Sequence, residues 1–482
     1  MLDAKTLYID GAWRASSSGA TFTVTDPSDG SALATAADGT AEDASAAIAA
    51  AGAAQPAWGA TSIAHRAQVL RGLHAAVIAH TEELAELIAA ESGKPVSEAI
   101  GEIGYGAQFI SWFADQATQA FHGEHYTDPA GTTRILTSRR PVGPCLLITP
   151  WNFPLAMVTR KLAPALAAGC TSVLKPAEQT PLTAIRLIEL LNEQDVPPGV
   201  VNVVTTTQAR EVSAAVFASP ALRKVSFTGS TAIGGELLRN SSHRVVSTSM
   251  ELGGNAPFLV FDDAAPDVVD GAIVAKLRNG GQSCIAANRF LVHDIVADEF
   301  TEKLVGAFSR MRVGTGRAVG TDVGPLIDSR AVEKVSAMVE QAVDAGARVA
   351  YRAEVPAGQG SFYPPTVLID APLNSPVYRD EVFGPVATVT RFTDEHHAVE
   401  LANDTQAGLA AYVFSADLSR ALRVAAALDF GIVGVNRGFV STAAAPFGGT
   451  KTSGLGREGG LHGLEEYLET QYLSLPVDSP IV

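Results

Sequence analysis

Two short segments carry the residue types from which acyl chemistry is built: Met250-Glu251-Leu252-Gly253-Gly254-Asn255 and Gly281-Gln282-Ser283-Cys284. A cysteine attacks a carbonyl carbon as its thiolate, so it needs a depressed pKa or a base within reach. Cys284 stands among small and polar residues rather than in an apolar run, which suits an accessible thiol, and Glu251 can serve as the base. Taken singly, each has a plainer explanation. A lone cysteine is usually a small buried hydrophobe, and a glutamate ahead of glycines is usually a solvated turn residue. Together they point to covalent catalysis through a thiol.

A scaffold must hold those side chains, and its elements show in the periodicity. About the first 40 residues mix short apolar runs with Gly, Ser, Asp and Pro and suit short strands and turns. From Ala41 to about Phe121 the pattern turns helical, with a helix over Ala44–Ala57 capped by Thr40 or Asp43, and apolar spacings of three and four through Ser62–Glu91. After Arg140 the texture alternates. Strands are predicted at Val142–Ile148, Thr171–Leu174, Val200–Val204 and Lys224–Phe227, and helices at Leu155–Ala168, Leu182–Glu193 and Ala209–Phe217. This alternation predicts an α/β fold with a parallel, doubly wound sheet. Ligands in such sheets sit at the carboxyl ends of strands, so the segments after Ile148, Leu174 and Phe227 are expected to form the site. A second alternating block runs from Phe258–Phe261 to about Val435, and Tyr467–Leu475 reads as a last strand.

Two glycine patterns are rejected. Gly454-x-Gly456-x-x-Gly459 has the letters of a dinucleotide fingerprint but follows no convincing strand and opens no βαβ unit. Gly229 to Gly234 has the spacing of a phosphate-binding loop, yet Gly235-Glu236 stands where Lys and Ser or Thr are required.

At 482 residues the chain is too long for one ordinary core, and two or three domains are expected. Its 51 acidic and 35 basic residues give a formal charge of −16. That balance disfavours general binding to nucleic acid or an anionic membrane, and leaves room for a local basic pocket. Cys145, Cys170 and Cys284 are too few and too scattered for a disulfide framework or a zinc site, so no metal is expected and a reducing compartment is. Met1 to Gly11 holds no apolar core of signal-peptide length. The most apolar window, Leu162–Leu174, is bounded by Lys161 and Lys175 and cut by Pro164, which argues against a membrane span. A cytoplasmic location is the expectation.

The opening segments have company. With Thr149-Pro150-Trp151-Asn152-Phe153-Pro154, Leu174-Lys175-Pro176-Ala177-Glu178, Phe227-Thr228-Gly229-Ser230 and Glu381-Val382-Phe383-Gly384-Pro385, they make six motifs in one order. This set resembles the signatures of the aldehyde dehydrogenase superfamily from about Leu7 to Leu475. The likeness is nearest to succinate semialdehyde dehydrogenases across Ile148–Leu174 and Ala445–Glu458. It implies a Rossmann-like NAD(P)-binding domain of residues 1–120 and 141–249 and an α/β catalytic domain of residues 250–445. It further implies a small β oligomerisation extension of residues 121–140 and 464–482. An exposed strand of that kind seeks pairing, so a homodimer or homotetramer is expected.

The resemblance also implies roles. The Cys284 thiolate adds to an aldehyde, and the Asn152 side-chain amide with the Cys284 backbone N–H holds the oxyanion. Hydride passes to the nicotinamide, leaving a thioester that Glu251-activated water hydrolyses. Outside the family Asn152 reads as readily as a turn residue. Members that transfer the acyl group to coenzyme A generally lack this glutamate, so a free acid is the expected product. Thr149, Pro150 and Trp151 line the cofactor, Lys175 reaches the adenosine ribose, and Gly229 with Ser230 offers helix amides to the pyrophosphate. Glu178 accepts from the ribose hydroxyls and repels a 2′-phosphate, while Glu381 with Phe383 holds the nicotinamide ribose. NAD is expected, with NADP the alternative. In an unknown chain Lys175 and Glu178 would pass for surface charges.

Arg160, Arg278 and Ser441 resemble the residues that grip the distal carboxylate in succinate semialdehyde dehydrogenases, where a guanidinium pair binds by charge-assisted hydrogen bonds. Without the family each arginine reads more simply as surface. The expected reaction is oxidation of succinate semialdehyde to succinate with NAD(P). Glutarate semialdehyde is the near alternative, because one methylene shifts binding by only about 1–3 kcal/mol. A broad-range aldehyde dehydrogenase and a non-catalytic binding protein are the others. Three departures stand out. Ala286 replaces a second cysteine found in some relatives, which excludes a disulfide switch of the catalytic loop. Val204-Thr205-Thr206-Thr207 replaces a glycine-containing turn at the adenosine site, and Arg437 adds a cation beside the substrate loop.

Overall fold

A computed structural model describes residues 7–478. Residues 1–6, which include most of the segment read for a leader, and residues 479–482, the outer end of the expected extension, lie outside the described residues.

The first sheet is built on parallel strands in the order Val201–Val203, Ser172–Lys175, Cys145–Ile148, Lys224–Thr228 and Ser247–Glu251. The middle three are buried along their whole length, which is why they read as short continuous runs rather than as alternating ones. Leu7–Ile9 adds an antiparallel strand beside Val201–Val203, and Gly454–Leu455 adds another beside Ser247–Glu251. The strand expected from Val142 begins only at Cys145, because Gly143 takes φ +119° and Pro144 has no N–H to give a ladder. Val142 donates instead to the Tyr467 carbonyl at 3.0 Å.

Helices follow the predicted positions closely. Ala41–Gly59 opens on a capping box in which both candidate residues act: Thr40 accepts from the Asp43 N–H and Asp43 accepts from the Thr40 N–H. The long periodic stretch through Ser62–Glu91 is two helices, Ile63–Ala79 and Thr81–Ser92, separated where His80 leaves helical geometry at φ −106° and ψ 22°. Val96–Ala120 then packs across Ala156–Ala168, a helix buried on every side. Its neighbours Phe109, Ile110 and Phe113 are fully buried, and each such side chain contributes about 1.5–3 kcal/mol relative to exposure. The apolar window near Leu162 is therefore core, and none of the described helices is long and apolar enough to cross a membrane.

The second sheet runs Arg348–Arg352, Thr366–Ile369, Val386–Phe392, Ala287–His293, Ala256–Val260, Ala410–Phe414 and Ile432–Val435. All neighbours are parallel except the first pair. Rings of Phe258, Phe290, Tyr412 and Phe414 pack on one another beneath it, with Phe258 and Phe414 stacked at 4.6 Å. Four residues, Leu252 to Asn255, carry the chain from the end of the last parallel strand of the first sheet to the second. A separate three-stranded sheet pairs Leu468–Pro476 antiparallel with Thr133–Pro141 over nine residues, with His125–Thr127 on the far side. The β extension read from the sequence is thus a sheet of its own.

Candidate active site

The carboxyl ends of the first sheet face the second sheet across a cavity of about 280 Å³. Asn152, Gly229 and Ser230 line it from the first, and Cys284, Glu381 and Phe383 from the second. Arg160, Arg278 and Ser441 form the far wall, and Pro150 and Trp151 also contribute. Thr149, Lys175, Glu178 and Glu251 lie behind or beyond this lining, and Arg437 is exposed outside it.

The loop that leads to Cys284 is shaped by its glycines. Helix Val268–Leu277 ends in a tight turn over Arg278–Gly281, where Asn279, Gly280 and Gly281 take φ of +55°, +59° and +76°. Asn tolerates that left-handed region better than most residues, and a Cβ on Gly281 would sit 2.2 Å from the Gly384 carbonyl oxygen. Opposite, a Cβ on Gly254 would meet the Cys284 carbonyl oxygen at 2.0 Å. Gly254 thus lets the two backbones touch, and Gly253 leaves room for the Glu381 carboxylate, whose Oε2 a Cβ there would meet at 2.9 Å.

Cys284 opens onto this cavity. Its side chain is half-buried, and burial, with the carboxylate of Glu381 next in weight, pushes the thiol up to about 12 against the pull of Arg160. Glu251 is 2% exposed, with neither carboxyl oxygen hydrogen-bonded. Burial and then the neighbouring Glu458 raise it well above the usual carboxylate range, and Arg160, Lys161 and Arg457 oppose them. Burial thus opposes ionisation of both groups. Glu458 is itself an ionised carboxylate, paired with Lys161 Nζ at 2.5 Å and Arg160 Nη1 at 3.5 Å, and those cations outweigh its burial.

Asn152 is set for donation. Its Nδ2 gives one hydrogen to the Gln282 carbonyl at 3.0 Å, which leaves the second free, and its Oδ1 has no partner. Its backbone carbonyl accepts from Lys94 Nζ at 2.7 Å and Asn279 Nδ2 at 2.9 Å.

On the far wall the two arginines differ. Arg160 donates to the Tyr105 hydroxyl, pairs with Glu458 and lies 4.2 Å above the Phe447 ring, with Nε unpartnered. Arg278 donates from Nη1 to Ser441 Oγ at 3.3 Å and is flanked by the Phe153 and Phe439 rings at 4.7 and 4.9 Å. A guanidinium between ring faces beside a hydroxyl is suited to a small anion.

The other end fits a dinucleotide. Thr228, Gly229 and Ser230 line this end just ahead of the twelve-residue helix Thr231–Ser242; Ser230 caps it by accepting from the Ile233 N–H, and the Thr228 hydroxyl is buried without a partner. Glu381 accepts from the Gly254 N–H at 3.0 Å, and Phe383, at φ +56°, sets its ring edge-on to Trp151 at 5.4 Å. Lys175 ends its strand with a buried amine 3.8 Å from Glu178, which is itself 41% exposed.

Tyr105, Phe447, Lys94, Glu98, Glu102, Lys161 and Glu458 belong to this site and were not singled out from the sequence. The one available signal was the spacing of Glu98 and Glu102, acids one turn apart in the first turns of a helix with many apolar residues.

Residues 13–473 match the family described as the aldehyde dehydrogenase family. The chain is 52% identical over 445 residues to a succinate-semialdehyde dehydrogenase of Paenarthrobacter nicotinovorans, covering 92% of this chain and 98% of the other. It is 46% identical over 472 residues to a glutarate-semialdehyde dehydrogenase of Pseudomonas putida, covering 98% and 97%. Among solved structures, the betaine aldehyde dehydrogenase of Staphylococcus aureus in complex with NAD+ aligns with a TM-score of 0.96 at 34% identity, over 99% of this chain and 96% of that one.

Proposed function

The chain belongs to the aldehyde dehydrogenase family and is an NAD(P)-dependent oxidoreductase, and from that premise we propose that it oxidises succinate semialdehyde to succinate. The observation that carries the substrate is the Arg278–Ser441 pair, with Arg160 beside it, in the wall of the cavity that holds Cys284.

In this reading the Cys284 proton passes to water in the cavity and the thiolate sulfur bonds to the aldehyde carbon. The carbonyl oxygen becomes an oxyanion held by the free hydrogen of Asn152 Nδ2 and the Cys284 backbone N–H. Bound NAD(P)+ supplies the hydride acceptor. Loss of hydride from the carbon leaves a thioester on Cys284. Glu251, once ionised, takes a proton from water, the hydroxide adds to the thioester carbon, and the C–S bond breaks to release the acid. Burial of Glu251 serves this step, since a carboxylate with raised pKa is the stronger base. Thr149, Pro150, Trp151, Lys175, Glu178, Gly229, Ser230, Glu381 and Phe383 would hold the cofactor, and Glu178 beside Lys175 favours NAD over NADP.

Residues 7–120 and 141–249 then serve as the cofactor domain, residues 250–445 as the catalytic domain, and the three-stranded sheet as the subunit contact of a homodimer or homotetramer. A free catalytic thiol suits the cytoplasm.

The experiment is NADH and NADPH formation by the purified protein with succinate semialdehyde, glutarate semialdehyde and butanal. Preference for the four-carbon acid is the expected result. Preference for the five-carbon acid would transfer the assignment to glutarate semialdehyde, and equal use of butanal would remove the carboxylate clamp.

A further inference from the structure

We propose that Lys94, Glu98 and Glu102, at the start of the helix Val96–Ala120, are positioning residues that lock the oxyanion loop and the nucleophile loop into one register. The inference rests on the role given above to Asn152.

Lys94 Nζ donates to Glu102 Oε2 at 2.5 Å and to the Asn152 carbonyl at 2.7 Å, and it lies 4.3 Å above the Phe153 ring. The two side chains are 1% and 0% exposed. An ammonium and a carboxylate so deeply placed do little for stability that an apolar pair of equal volume would not do as well. What the charged pair adds is direction. Glu102 turns its other oxygen, Oε1, to the N–H groups of Leu155 at 2.9 Å and Ala156 at 3.2 Å, where the next helix begins. The segment from Asn152 to Ala156 is thus held at both ends by one ion pair.

Glu98 reaches the other loop. It lies one turn before Glu102 on the same helix face and accepts from the Asn279 N–H at 2.7 Å. Asn279 is a left-handed residue of the turn that leads to Cys284, and its side-chain amide donates to the Asn152 carbonyl at 2.9 Å and the Gln282 carbonyl at 3.2 Å. The Gln282 carbonyl also receives the Asn152 amide. With its carbonyl fixed by two donors, the Asn152 peptide cannot rotate, and its Nδ2 stays aimed beside Cys284. Burial lowers the pKa of the Lys94 amine against the pull of Glu102 and Glu98, and its Nζ can donate to the Asn152 carbonyl in either protonation state.

The test compares turnover with alkylation in the full-length enzyme. The Cys284 thiolate displaces iodide from the carbon of iodoacetamide and forms no oxyanion, so alkylation reads the nucleophile alone. Lys94→Met should lower kcat for both succinate semialdehyde and butanal by roughly tenfold to a hundredfold, leaving KM and the alkylation rate within about twofold. Lys94→Met combined with Asn152→Ala should be no slower than Asn152→Ala alone, because both act on one donor. A kcat loss under about twofold, an equal slowing of alkylation, or losses that multiply in the double variant would each overturn the proposal. Should Lys94→Met not fold, Glu98→Leu decides. It removes the acceptor of Asn279 and should slow turnover and alkylation together by about fivefold or more, and wild-type rates would overturn the proposal. Wild-type enzyme active on butanal but not on the semialdehyde defeats the substrate assignment and leaves this test intact. Wild-type enzyme inactive on both overturns the function beneath it.

Discussion

Arg278 and Ser441 stand 163 residues apart in the chain and meet in the cavity wall, Nη1 to Oγ at 3.3 Å. Arg160, across from them, already serves Glu458 and Tyr105. The two arginines should therefore respond differently to removal. Arg278→Ala should raise KM for succinate semialdehyde by about tenfold to a hundredfold, the range of a charge-assisted hydrogen bond, and leave butanal nearly unaffected. Arg160→Ala should also weaken the fold, since it takes one cation from the buried Glu458. Steady-state kinetics with both aldehydes and a thermal melt separate these outcomes. Equal loss on both substrates from Arg278→Ala would mean that it does not grip the acid.

Cys284→Ala should abolish turnover, whereas Glu251→Gln should stop it after one round. With the base gone the thioester still forms, so a burst of one NADH per site is expected, followed by a steady rate lower by roughly a hundredfold or more. Rapid-mixing absorbance at the NADH band measures both phases. A variant with no burst would place Glu251 before the thioester rather than after it.

A thiol held up at about 12 is a small thiolate fraction at neutral pH that grows with each added unit. The rate of Cys284 alkylation by iodoacetamide in the cofactor-free enzyme should therefore climb about tenfold per pH unit from pH 7 to 10 without levelling. A plateau near neutrality would show a thiolate stabilised by groups other than those described. Glu251 shifts in the same sense, so kcat in the wild type should also rise on the alkaline side, and Glu251→Gln should lose that rise.

Lys276 offers a test through stability. It is fully buried, bonded to Asn288 Oδ1 at 2.9 Å, and burial brings its pKa down to about 7 although Glu381 resists. In the unfolded chain a lysine titrates near 10.4. Between those values the unfolded state binds more protons than the folded one, so this group makes stability rise with pH from about 7 to about 10.4. Lys276→Met removes the effect. Its Tm relative to wild type should be highest near pH 7 and should decline by pH 9, and an offset independent of pH would show that Lys276 stays charged in the fold.

The parallel strands of the first sheet were readable because each rests on a contiguous apolar stretch. The runs ending at Ile148, Leu174 and Phe227 marked the strand ends to within one residue, and Asn152 lies in the segment that follows the first of them. What was not readable was made by distant chain. Lys94 meets Asn152 across 58 residues and Glu98 meets Asn279 across 181, and neither lysine nor glutamate on a helix announces a partner so far away. The state of Cys284 was hidden for the same reason. Small polar neighbours in sequence suggested an accessible thiol, while the charges that act on it come from elsewhere in the chain, Glu381 and Arg160 among them.

The last strands of the chain complete sheets begun much earlier: Leu468–Pro476 closes on Thr133–Pro141, and Gly454–Leu455 on Met250 and Glu251. Synthesis proceeds from the amino end, so on the ribosome Thr133–Pro141 waits with one edge bare until nearly the whole polypeptide has emerged. A bare edge recruits foreign strands, and pairings this distant in sequence form slowly. The nascent protein thus holds its thiol before the strand bearing its base is flanked on both sides. The strand that ends at Glu251 is flanked on both sides only once Gly454 and Leu455 have been made, and the interval before that is when the growing chain most needs shelter from aggregation.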